Sequence, residues 1–163
     1  SIRSGLYMRI IFLDIDGVMT TGRHARTLFY QGKREGRRRT FDPYAVRWLN
    51  ELTASTEASL VISSIWRGGR DITTLQAILR AQGVTGHVLD KTPHLGWSID
   101  GIHRGHEIQY WLDRAMEIES FVILDDDSDM AHLLPHLVKT KCQYGLTRQK
   151  AREAKRHLME YGK

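Results

Sequence analysis

The chain has 163 residues, 41% hydrophobic and 26% charged, with a net charge of +5. That balance suits one globular domain with its own core and excludes fibrous or disordered chains. No apolar run is long enough to cross a bilayer, none resembles a signal peptide, and Cys142, the only cysteine, excludes an internal disulfide or a zinc finger.

Ser1 to Tyr7 read as a frayed end. A first strand is expected over Met8 to Leu13. Ile10-Ile11-Phe12-Leu13 are consecutive large apolar residues, as in a strand buried on both faces. It runs directly into Asp14-Ile15-Asp16-Gly17. A long polar stretch follows, Thr20 to Thr40, and reads as an irregular flap containing the basic run Lys33 to Arg39. Asp42 can cap a helix and Pro43 suits its first position. Ala45, Trp48, Leu49 and Leu52 then recur at helical spacing, so both this tryptophan and Trp111 are expected to pack in the core. A second strand, Ser59 to Ile62, ends in Ser63 and Ser64.

A second helix is expected from about Asp71 to Gln82, with Ile72, Leu75, Ile78 and Leu79 inward and Gly83 as its stop. Val88-Leu89 reads as a short third strand. A third helix, about Gly105 to Met116, carries Ile108, Trp111, Leu112 and Ala115. A fourth strand, Phe121 to Leu124, ends in Asp125-Asp126-Asp127, and Leu137 to Thr140 reads as a fifth. A basic helix opens at Thr147 and runs to about residue 161, with Arg148, Lys150, Arg152, Lys155 and Arg156. Strands alternating with helices imply an α/β fold, a mostly parallel central sheet with helices on both faces, in a single domain over 1–163.

Carboxylates at the end of a buried strand are costly unless their charge is used. Ligands of α/β proteins bind at the carboxyl ends of the strands. Two such strands ending in Asp14/Asp16 and in Asp125/Asp126/Asp127 therefore suggest one site for a hard cation such as Mg²⁺. Adding the strand-end hydroxyls Ser63 and Ser64 and the cation Arg104 completes what phosphoryl transfer through an aspartyl-phosphate requires. His103 and His106 make no convincing metal pair without further ligands.

The order Asp14-x-Asp16-Gly17-Val18, Ile62-Ser63-Ser64, Arg104, Asp125-Asp126 resembles the haloacid dehalogenase (HAD) superfamily of Mg²⁺-dependent phosphatases. Further segments resemble one branch, the HAD domain of "Swiss Army Knife" RNA repair proteins. They are Phe41-Asp42-Pro43, Ile65-Trp66-Arg67, Arg104-Gly105-His106-Glu107-Ile108 and Gly145-Leu146-Thr147. The resemblance implies a three-layer Rossmannoid fold and assigns roles. Asp14 would be the nucleophile and Asp16 the general acid and then base. Gly17 would turn the backbone and expose amide N–H groups to the phosphate. Ser63 would donate to a phosphoryl oxygen, with Ser64 as neighbour or substitute. Arg104 would screen charge, with Lys91 as a weaker competitor. Asp126 as direct ligand and Asp125 as second would hold Mg²⁺ with Asp14 and the Asp16 carbonyl; Asp127 and Asp129 would support them.

Trp66 and Arg67 are expected to line the site, stacking a base or gripping a phosphate; packing under a loop is the alternative. The gaps from Val18 to Phe41 and from Leu89 to Arg104 are too short to hold a cap domain. The site is thus expected to be essentially capless and open. An open site with a basic rim suits a phosphate on a nucleic-acid end, as the RNA-repair resemblance also implies. A polynucleotide 3′-phosphatase is the leading expectation, working in a reducing cytoplasm beside a ligase or kinase on other proteins. A small-molecule nucleotidase and a non-catalytic phosphate- or RNA-binding module are the alternatives. The Lys33–Arg39 run and the terminal basic helix are each either solvated surface or nucleic-acid contacts.

Overall fold

Five short apolar segments carry the fold, and each becomes a parallel strand. The structure, a computed structural model, describes residues 7–96 and 104–160. The frayed start expected over Ser1–Tyr7 (Tyr7 apart), His103 and the end of the basic helix at 161 lie outside the described residues. The strands are β1 (Met8–Leu13), β2 (Ser59–Ile62), β3 (Val88–Lys91), β4 (Ile118–Asp125) and β5 (Leu137–Lys139), in sheet order β3-β2-β1-β4-β5. Every pairing among them is parallel. The expected α/β sheet is therefore observed, and it is wholly parallel among the described residues.

Side chains alternate across β1, which splits the core into two clusters. Ile11 and Leu13 face a layer made by α2 (Pro43–Thr56), α3 (Ile72–Ala81) and α5 (Arg148–Met159), through residues such as Leu49, Leu79 and Leu158. Ile10 and Phe12 face α4 (Arg104–Arg114) and a 3₁₀ turn over Ala131–His136, through Ile108, Met130 and Leu133. Burial on both faces is why β1 is an unbroken apolar run. Trp111 packs as expected: its ring meets Phe12 edge-on at 5.4 Å, and its indole N–H donates to Asp90 at 2.8 Å. Trp48 lies half-buried against the first cluster.

The 20–40 segment departs from expectation. It holds a nine-residue helix, α1 (Gly22–Tyr30), that buries only Leu28. The Thr21 hydroxyl caps it by accepting from the His24 N–H at 3.0 Å. One buried side chain leaves little apolar periodicity to read, so cap and tertiary anchoring specify this helix. The Asp42 carboxylate is that anchor. It accepts from the Thr21 hydroxyl at 2.7 Å, from Arg23 at 2.9 Å and from the Tyr44 N–H at 2.9 Å. Burial works to raise this carboxyl, but those three donors hold it below the usual carboxylate range. Asp42 thus caps α2 and pins α1 to it. Among the described residues no helix is long and apolar enough to cross a membrane.

Candidate active site

Strand register brings the scattered polar residues to one edge. Leu13 of β1 pairs with Ile62 of β2 and with Leu124 of β4, so the next residues, Asp14, Ser63 and Asp125, emerge side by side. Backbone bonds carry the alignment one step past the strands. The Asp14 N–H donates to the Leu124 carbonyl, and Ser63 N–H to that of Leu13. This is the carboxyl edge at the point where the strand order switches direction, the usual ligand position in such sheets.

Carboxylate oxygens of Asp14, Asp125 and Asp126 all lie within 4.8 Å of one another. Asp125 is 1% exposed and Asp14 7%. Burial, partly offset by Arg104, pushes Asp14 up to about 6. Burial and the neighbouring Asp14 charge push Asp125 up to about 8. Two buried acids in contact cannot both ionise without a compensating cation. The Asp125 Oδ2 atom is buried without a hydrogen-bond partner among the described residues. An all-oxygen, partly orphaned carboxylate cluster fits a hard divalent cation.

Arg104 supplies the fixed positive charge. Its guanidinium lies 3.8 Å from Asp14 Oδ1 and 3.3 Å from Asp125 Oδ2. Its backbone N–H donates to Asp129 at 3.2 Å, which ties the start of α4 to the acidic loop. Gly105 lets the helix approach that closely: a Cβ there would run into the Met130 carbonyl. Lys91, the competing cation, instead donates its ammonium to the Arg70 carbonyl at 2.6 Å. Asp127 is exposed and donates its N–H to Asp125 Oδ1 at 3.0 Å.

Gly17 has φ +80°, and a Cβ there would collide with the Asp126 carboxylate. The glycine is required both by its own backbone and by the acid packed on it. Its own N–H donates to the Thr20 carbonyl at 3.0 Å, so any amide the turn presents to a ligand is a neighbour's. The Asp16 side chain lies outside the three-carboxylate cluster. It accepts from the Thr20 hydroxyl at 3.1 Å and from the Trp66 indole N–H at 3.2 Å. Trp66 therefore lies at the site as the holder of Asp16, a part that sequence spacing did not suggest.

Ser63 and Ser64 are both fully buried but differ in use. The Ser63 hydroxyl has no hydrogen-bond partner among the described residues, while Ser64 accepts from the Trp66 N–H at 3.2 Å. Arg67, expected to grip a phosphate, is arranged otherwise. It is 5% exposed. Its Nε donates to the Thr92 carbonyl and its Nη1 to the Ser63 and Ser64 carbonyls. Its Nη2 donates to Pro93 and to both Glu107 oxygens, each of these last at 3.0 Å. A guanidinium has five N–H donors, and six acceptors leave none for substrate. Arg67 and Glu107 instead form a buried strut joining the serine-bearing turn, the end of β3 and the helix that carries Arg104. Nothing in the local sequence distinguishes such an arginine from a ligand-binding one; only its partner forty residues away does.

A cleft of about 920 Å³ opens beside Asp16, Gly17 and Thr20, lined also by residues of α1, by residues 37–39 and by Ile65, Trp66 and Arg70.

The family model described as "HAD domain in Swiss Army Knife RNA repair proteins" matches residues 10–151. No curated protein and no solved structure matches the chain.

Proposed function

The chain belongs to the family of HAD domains found in Swiss Army Knife RNA repair proteins, and from that premise we propose that it is a Mg²⁺-dependent phosphomonoester hydrolase acting on nucleic-acid ends, most simply as a 3′-phosphatase. The observation that carries the reading is the convergence of Asp14, Asp125, Asp126 and Arg104 at one sheet edge.

In this reading an Asp14 carboxylate oxygen attacks phosphorus, forming an O–P bond as the ester P–O bond breaks. Asp16 gives its proton to the departing oxygen, then as carboxylate takes one from the water that hydrolyses the aspartyl-phosphate. Thr20 and Trp66 hold Asp16 in place for both transfers. The buried, unpartnered Ser63 hydroxyl supplies a donor for a phosphoryl oxygen, and Arg104 stabilises charge as it shifts onto the transferring group. Asp14, Asp125, Asp126 and the Asp16 carbonyl would hold Mg²⁺, which when bound lets carboxylate and phosphate, two anions, approach each other.

Release of a 3′-phosphate leaves a hydroxyl suited to sealing, so a ligase or kinase on other proteins is the proposed partner, in a reducing cytoplasm. The test is turnover on a panel of p-nitrophenyl phosphate, 3′- and 5′-phosphorylated oligonucleotides and mononucleotides, with Mg²⁺ or EDTA. Mg²⁺-dependent preference for 3′-phosphorylated oligonucleotide is expected. Preference for mononucleotides would replace the end-processing reading with a nucleotidase, and no turnover of any substrate would refute both.

A further inference from the structure

We propose that the cleft between α1, residues 37–39 and the Ile65–Arg70 turn binds the sugar–phosphate backbone and unpaired bases of a single-stranded nucleic acid, leading its end to Asp16. The inference rests on the phosphatase reading for its direction, but the binding can be measured without it.

Asp16, Gly17 and Thr20 line the cleft, so a molecule lying in it reaches the general acid. Its volume of about 920 Å³ lies at the upper end of the ~300–1,000 Å³ usual for ligand clefts. Arg26, Arg37, Arg38, Arg39 and Arg70 all line it. Among the described residues none of these five guanidinium groups is paired with an acidic side chain. Among the described residues Asp16 is the only acid in the lining. Like charges left unneutralised around one cleft repel one another until a polyanion joins them. One phosphate monoester needs one or two such groups; five around one cleft match successive phosphodiesters.

The same cleft exposes apolar surface. Tyr30 is 80% exposed and Ile65 72%, while the Phe29 ring carries the Arg37 guanidinium 5.0 Å from its centroid. An exposed flat ring such as Tyr30 beside a cationic track is a platform on which an unpaired base stacks. An acidic peptide would satisfy the arginines and leave the rings unused. A duplex would keep its base faces covered, so the pairing of rings with charge selects a single strand. The Thr21–Asp42–Arg23 network fixes the α1 wall relative to α2, so the track is preformed.

The test is fluorescence anisotropy of the full chain with single-stranded RNA and DNA of about ten nucleotides, ending in a plain hydroxyl. Binding without any terminal phosphate is expected. If all five arginines contact phosphates, the slope of log affinity against log salt should be about −3.5, and Arg37→Ala/Arg38→Ala/Arg39→Ala should reduce its magnitude by about 2. Arg38→Ala alone, at an exposed position, should reduce it by about 0.7 even if the triple variant fails to fold. Tyr30→Ala should weaken binding about tenfold with the slope unchanged.

Unchanged slopes in the arginine variants would overturn the proposal. So would equal binding of a poly-glutamate peptide, or a duplex bound as tightly as the single strand. Hydroxyl-ended strands are not substrates, so failure of the phosphatase reading leaves this result standing. Turnover of p-nitrophenyl phosphate with no strand binding would sink the cleft alone.

Discussion

Replacing Arg67 by Met separates a structural strut from a phosphate grip. The methionine keeps much of the apolar stem but removes all five donors. The Ser63, Thr92 and Pro93 carbonyls then lose the guanidinium, the Ser64 carbonyl keeps only the residue 67 backbone N–H, and the Glu107 carboxylate, itself 8% exposed, keeps the Leu95 N–H but no fixed positive charge. Breaking a buried ion pair by removing one member costs about 3–5 kcal/mol. In a domain of this size each kcal/mol lowers Tm by about 2–4 °C, so a fall of roughly 6–20 °C is expected. Arg67→Met/Glu107→Leu should cost clearly less than the sum of the two single changes, because it leaves no uncompensated charge. Thermal melting and urea titration of the four proteins measure both quantities. A phosphate-gripping arginine would give the opposite pattern: an unaltered Tm with a raised KM. That result, or additive single-variant costs, would refute the strut.

Three further outcomes follow from the site. Asp14 and Asp125 are raised from 3.8 to about 6 and about 8, so without metal their contribution to stability is complete below pH 4 and is lost as pH rises through those values. Melting in EDTA across pH 5–8, taken relative to Asp125→Asn to cancel the histidines, should show wild type losing ground as pH rises. Mg²⁺ should restore more at pH 8 than at pH 5, and a pH-independent Mg²⁺ shift would contradict the cluster. Trp66→Phe removes the indole N–H from Asp16 and should lower kcat about tenfold by loosening the general acid while p-nitrophenyl phosphate, with its good leaving group, suffers less; equal losses would point to simple repacking. Gly17→Ala should lose Mg²⁺-dependent stabilisation by displacing the Asp126 carboxylate, and a calorimetric Mg²⁺ affinity equal to wild type would refute that placement.

How legible each feature was in the sequence follows from the range of the force that specifies it. β1 and β2 match their expected bounds because burial on both faces writes an uninterrupted apolar run. The starts of α2, α3 and α5 were legible because Asp42, Asp71 and Thr147 each accept a local backbone N–H as a cap. The helix α1 was not, since one buried leucine makes no stripe and its anchor, Asp42, sits beyond a long loop. The three carboxylates could be grouped because Asp14 follows β1 and Asp125 and Asp126 sit at the end of β4, and parallel register aligns those two ends. Trp66 and Arg67 could not be told apart as holder of Asp16 and buried strut. Their partners, Asp16 and Glu107, are distant in sequence, and the local segment carries no trace of them.

The most direct measurement is to quench the protein in acid during turnover of a 3′-phosphorylated oligonucleotide and map the phosphoryl group by mass spectrometry. The expected result is a phosphoryl group on Asp14 in wild type, with label and turnover both lost in Asp14→Asn. A phosphoryl group on another residue, or turnover that survives in Asp14→Asn, would contradict a nucleophile set among the carboxylates of β1 and β4.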